Sequence, residues 1–110
     1  MGASMKLIDL QPEFVRFVPA LRNPHFYGRQ GVGTLAEAQG IRFRCPNPDP
    51  NYAGLVICIP FRDRGAPADE NGGHQWGVSG SGMHDLTLSP SVNCVGVWHG
   101  WIRNGEVTNA

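Results

Sequence analysis

Three cysteines (Cys45, Cys58, Cys94) and four histidines are the side chains of this 110-residue chain best suited to attack a substrate or move a proton near neutral pH. A thiol becomes a strong nucleophile only when a base takes its proton. Cys94 with His99, assisted by Asp85 or His84, therefore has the residue types of a thiol-dependent hydrolase. Such pairs are made in space rather than in sequence, and no nucleophile signature surrounds either residue. Gly80-Ser81-Gly82 is not the Gly-x-Ser-x-Gly elbow of the α/β-hydrolases and reads as flexible loop. Gly31-Val32-Gly33-Thr34-Leu35-Ala36 matches a dinucleotide fingerprint by chance, because no strand precedes it and the helix after it is too short. Without an export signal, an odd number of cysteines points to free thiols or a metal rather than to a disulfide framework.

Trp98 and Trp101 fall on opposite faces of one strand. Trp98, Gly100 and Ile102 share the apolar face and should meet the core. His99, Trp101 and Arg103 share the other. An outward tryptophan beside an arginine has the composition of an interface anchor, so Trp101 and Arg103 are candidate contacts to a partner protein.

The elements that must position these residues are short. Fifteen glycines and nine prolines disfavour long helices and favour brief strands joined by turns. Residues 6–18 read as one or two strands interrupted by Pro12, and residues 19–33 as loop pinned by Phe26 and Tyr27. Thr34 with Glu37 three positions later makes a capping box, which predicts one short helix over 34–39, stopped by Gly40. Ile41 to Cys45 alternates and should be a half-buried strand. Leu55 to Ile59 is a continuous apolar run, read as a central strand buried on both faces, with Phe43, Leu55, Ile57 and Ile59 in the core. Residues 62–73 read as a mobile polar loop, residues 77–82 as flexible, Leu86 to Ser89 as a strand, and Val95 to Arg103 as the last long strand. A bulge or turn at Val95-Gly96-Val97 would be needed for Cys94 and His99 to reach one point. Asn104-Gly105 is a strong hairpin signal, because a type I′ turn needs positive φ at both central residues. The fold class that follows is mainly β: a small open barrel or sandwich of short antiparallel strands in a single domain spanning 1–110, with residues 1–33 as an arm packed on it.

Nine basic and nine acidic residues leave no formal charge, which argues against a dedicated nucleic-acid binder. The halves differ: residues 1–44 carry six basic side chains against three acidic, and residues 45–110 the reverse. No run of about 18 apolar residues crosses a membrane, and the N-terminus lacks the pattern of a signal peptide.

Four segments together resemble a family of small bacteriophage and prophage proteins. They are Leu35-Ala36-Glu37-Ala38-Gln39-Gly40, Phe43-Arg44-Cys45-Pro46, Leu86-Thr87-Leu88-Ser89-Pro90-Ser91, and Trp98-His99-Gly100-Trp101-Ile102-Arg103-Asn104-Gly105-Glu106-Val107. The likeness covers about residues 34–108. It implies a small metal site, with a Cys-Pro-x-Cys after the first strand and a cysteine shortly before Trp-His-Gly. Here Pro48 stands where the second of those cysteines would be. Cys45, Cys94 and His99, with His74 as the fourth, remain as candidate zinc ligands. The alternative is that both thiols are small buried hydrophobes and His99 a hydrogen-bonded surface residue. The reading that follows is a non-enzymatic phage accessory or virion-associated protein. It would act through contacts with protein, in the cytoplasm of an infected bacterium or in the virion. The metal- or thiol-dependent hydrolase built on Cys94 and His99 is the alternative.

Overall fold

Alternation of apolar and polar residues sets the sheets. A computed structural model describes residues 5–20 and 23–110, with only the backbone of residues 20, 23–26 and 72. In chain order the strands are β1 (Met5–Lys6), β2 (Glu13–Ala20), β3 (Asn23–Val32), β4 (Gly40–Arg44), β5 (Val56–Pro60), β6 (Gly77–Ser79), β7 (Thr87–Ser89), β8 (Val92–Cys94), β9 (Trp98–Arg103) and β10 (Glu106–Asn109). Among the described residues they form three antiparallel sheets, ordered β1-β10-β9-β8, β3-β2-β4-β5 and β6-β7, and no closed barrel. The mainly β expectation holds. The short helix is a single 3-10 turn at Leu35–Glu37, in which the Glu37 N–H reaches the Thr34 hydroxyl and that hydroxyl donates to the Glu37 carboxylate. Three residues between a cap and Gly40 leave no room for an α-helical hydrogen bond to repeat.

Residues expected to be loop form β3, a ten-residue strand at the edge of its sheet. An edge strand pairs along one side only, so proline and glycine are tolerated there. The Phe26 side chain lies outside the described ones. Residues 7–10 make a 3-10 turn rather than strand. The Leu55–Ile59 run is corrected in the same way: β5 ends its sheet and buries one face, through Ile57 and Ile59, while Leu55 and Val56 are exposed. One side of a two-sided apolar pattern thus faces solvent, which the run alone could not reveal.

The core between the sheets joins Leu7, Phe14, Ile41, Phe43, Ile59 and Phe61 with Leu86, Val92, Ile102 and Val107. The hairpin at 104–105 is present. Asn104 and Gly105 have φ of 50° and 75°, and Arg103 and Ile102 stand opposite Glu106 and Val107.

A Ser91–His99 pair on the outer face of a hairpin

The segment read as one strand over 95–103 is the second arm of a hairpin. The Val97 N–H donates to the Cys94 carbonyl, and Gly96 takes the left-handed φ of 77° that the turn needs. The Tyr52 hydroxyl and the Asn47 amide donate to the Gly96 and Val97 carbonyls, tying the turn to the 46–52 loop. Across the hairpin Val92 faces Gly100, Asn93 faces His99, and Cys94 faces Trp98. Opposed residues of an antiparallel pair project from the same face. Val92, Cys94, Trp98, Gly100 and Ile102 therefore point inward, and Asn93, His99, Trp101 and Arg103 outward, as the burial of β9 confirms.

The same alternation carries Ser91 to the outer face, just before β8. Its carbonyl accepts from the Trp76 indole N–H at 3.1 Å, which fixes the backbone there. Its hydroxyl lies 3.2 Å from His99 Nε2. The Trp101 ring stands 6.0 Å from the imidazole between centroids, and the Arg103 guanidinium lies over the Trp101 ring, 5.1 Å from its centroid. Beneath them Gly100 lets the buried Trp98 indole and the Thr108 carbonyl approach β9 closely, and Trp98 Nε1 donates to Asn109 at 2.7 Å. Among the described residues no carboxylate hydrogen-bonds to His99.

The candidate residues named from sequence separate. His99 faces away from Cys94, so neither the thiol–imidazole pair nor the three-ligand set of Cys45, Cys94 and His99 assembles. The turn at 95–97 exists, but its register places Cys94 with Trp98, not with His99. His74 is exposed, 6.5 Å from Trp76 between ring centroids. Among the described residues no three His, Cys, Asp or Glu side chains are grouped to hold a metal ion. Burial raises the Cys94 thiol, with a further push from Cys45, and burial likewise raises Cys58 against the opposing pull of Arg29. A thiol kept protonated is a poor nucleophile. Asp85 does not assist His99 either. Its carboxylate accepts from the Ser81 hydroxyl and from the Ser81 and Gly82 N–H groups, bonds that hold it down at about 2 and make the 80–85 segment an ordered turn.

A cleft of about 600 Å³ lies elsewhere, among Leu55, Cys58, Cys94 and Val97, where Arg29 pairs with Glu70 at 2.5 Å. Another, of about 520 Å³, opens beside Ser91 and is bounded by Thr87, Pro90, Trp101 and Arg103. The smaller cleft is the one that touches the serine.

An exposed hydroxyl in hydrogen-bond reach of an imidazole is the minimal serine-protease arrangement. A family model described as the bacterial ubiquitination-like system serine protease, BubE, matches residues 20–110. The chain belongs to this family. No curated protein and no solved structure matches it. Membership of BubE overturns the phage-accessory reading: the family is one of proteases in a bacterial ubiquitination-like system. It also turns the expectation of a protein partner toward components of that system. Sequence reasoning does not reach Ser91, although Ser91 ends the Leu-Thr-Leu-Ser-Pro-Ser segment. Serine is a common surface residue, and only the β8–β9 register shows which serine meets His99.

Proposed function

We propose that this chain is a protease acting on a protein of a bacterial ubiquitination-like system, with Ser91 as nucleophile and His99 as general base. The observation that carries the reading is the 3.2 Å approach of Ser91 Oγ to His99 Nε2 on an exposed face. For the reaction the imidazole holds its proton on Nδ1, so the Ser91 hydroxyl donates to Nε2. As Oγ adds to the scissile carbonyl carbon, Nε2 takes the hydroxyl proton and the carbonyl oxygen becomes an oxyanion. His99 then gives that proton to the amide nitrogen, the carbon–nitrogen bond breaks, and the amine leaves an ester on Ser91. Water, deprotonated by the same imidazole, hydrolyses the ester. Trp101 beside the imidazole narrows the space in which it turns. Asn93, opposite His99 on the same face, offers a side-chain amide to the developing oxyanion.

A fluorophosphonate probe, which phosphonylates activated serines without needing a peptide, tests this. Wild-type protein should be labelled at Ser91. Ser91→Ala should lose the label, His99→Ala should label about 10²–10⁴ times more slowly, and Cys94→Ser should label like wild type. Undiminished labelling of Ser91→Ala, or loss of labelling in Cys94→Ser with the fold intact, would overturn the assignment.

A further inference from the structure

We propose that the cleft beside Ser91 receives the acyl side of the substrate and that Arg103, stacked on Trp101, selects an acidic side chain there; the proposal rests on the Ser91–His99 reading. Direction comes from the chemistry. His99 must hand its proton to the departing amine, so the amine side of the scissile bond lies over His99. The acyl side then leaves Ser91 the other way. That is where the cleft runs, over Ser89 and Pro90 to Trp101 and Arg103, and His99 is not among its walls. Trp101 and Arg103 follow His99 at alternate positions of β9, so all three project from one face. Continuing the β8–β9 register sets Ser91 level with Trp101, and the two residues from there to Arg103 advance about 7 Å, which puts Arg103 level with the second or third residue before the scissile bond in an extended substrate.

The charge of the cleft fits one kind of side chain. Among the described residues no carboxylate lines it. Glu106 stands opposite Arg103 in the β9–β10 ladder, yet among the described residues Arg103 makes no ion pair. Its guanidinium lies against the indole face, an arrangement that holds the plane while leaving N–H donors for a carboxylate. An acidic side chain would gain a charge-assisted, bidentate partner, and a basic one would be repelled. Trp101 does two things in this arrangement, since the ring that carries Arg103 also stands beside the His99 imidazole.

The test is cleavage-site profiling with a mixed library of synthetic peptides, read by mass spectrometry. Fluorophosphonate labelling of each variant titrates its active sites. Frequencies are compared within each variant, so a change in overall rate does not enter. Wild type should enrich Asp and Glu about five- to tenfold at the second or third position before the cut, the size of a partly exposed charge-assisted pair. Arg103→Gln should abolish the enrichment, and Arg103→Glu should replace it with enrichment of Lys and Arg. Absence of acidic enrichment in wild type, its persistence in Arg103→Gln, or labelling without any peptide cleavage overturns the subsite. Absence of fluorophosphonate labelling refutes the protease reading itself and takes the subsite with it.

Discussion

Gly100 lies between His99 and Trp101 on β9, and replacing it by alanine should damage both the fold and the site. A Cβ there would point inward, onto the Trp98 indole and the Thr108 carbonyl, at separations no real Cβ shows. Neither neighbour yields easily. The indole is buried and hydrogen-bonded to Asn109, and Thr108 sits in the β10 ladder opposite Trp101. Overpacking of a tight core by small groups costs about 1–3 kcal/mol. Gly100→Ala belongs at the upper end, because one of the obstructing atoms is backbone. For a domain of this size that is a fall in Tm of about 10 °C or more. Any movement of β9 also shifts His99 relative to Ser91, so labelling at 20 °C should fall further than the folded fraction does. Gly96→Ala is the control. Gly96 has a φ of 77° and no atom within 4 Å of the added Cβ, so only the left-handed backbone penalty applies, about 1–2 kcal/mol. Thermal melts followed by circular dichroism, with fluorophosphonate labelling beside them, compare the two. If Gly100→Ala melts within about 2 °C of wild type, or no lower than Gly96→Ala, the close-approach reasoning is refuted.

Three further outcomes are expected. Asn93→Ala should slow fluorophosphonate labelling about tenfold or more if its amide stabilises the oxyanion; an unchanged rate would remove Asn93 from the site. The Asp85 carboxyl, followed by NMR, should titrate at about 2 rather than its ordinary 3.8, and Ser81→Ala should move it upward. Its folded value lies below the unfolded one, so its contribution to the 80–85 turn is full above the unfolded value and is lost as pH falls from about 4 through 2. Alkylation of Cys94 by iodoacetamide should rise with pH around a midpoint above that of a free cysteine. A midpoint below it would return Cys94 to the list of nucleophiles.

What the sequence made legible of the fold were features decided locally. Asn104-Gly105 needs two positive φ values and has them. The alternation of Ile41 and Phe43 sets the buried face of β4, and the alternation of Trp98, Gly100 and Ile102 sets that of β9. What escaped were features decided by neighbours. Whether Leu55–Ile59 is central or at an edge depends on what pairs beyond it, and among the described residues β5 ends its sheet, with only a bridge of Phe61 to Trp76 past its end. The glycines of β3 mark loop only until β2 supplies partners for Tyr27 to Val32.

The site escaped for the same reason, concentrated in one turn. A continuous strand over 95–103 leaves His99 with no cross-strand partner before Cys94, which made the nearest thiol its natural companion. A three-residue turn at 95–97 instead folds residues 92–94 back beside 98–100, and every pairing follows from that register. Cys94 goes inward with Trp98, and Asn93 comes outward with His99. Ser91, an odd number of residues before Cys94, must come outward too. A register one residue different would send Cys94 to the imidazole and bury the serine. The faces on which Cys94, His99 and Ser91 stand therefore follow from the turn at Gly96, which the Tyr52 and Asn47 bonds hold, not from the residue types themselves.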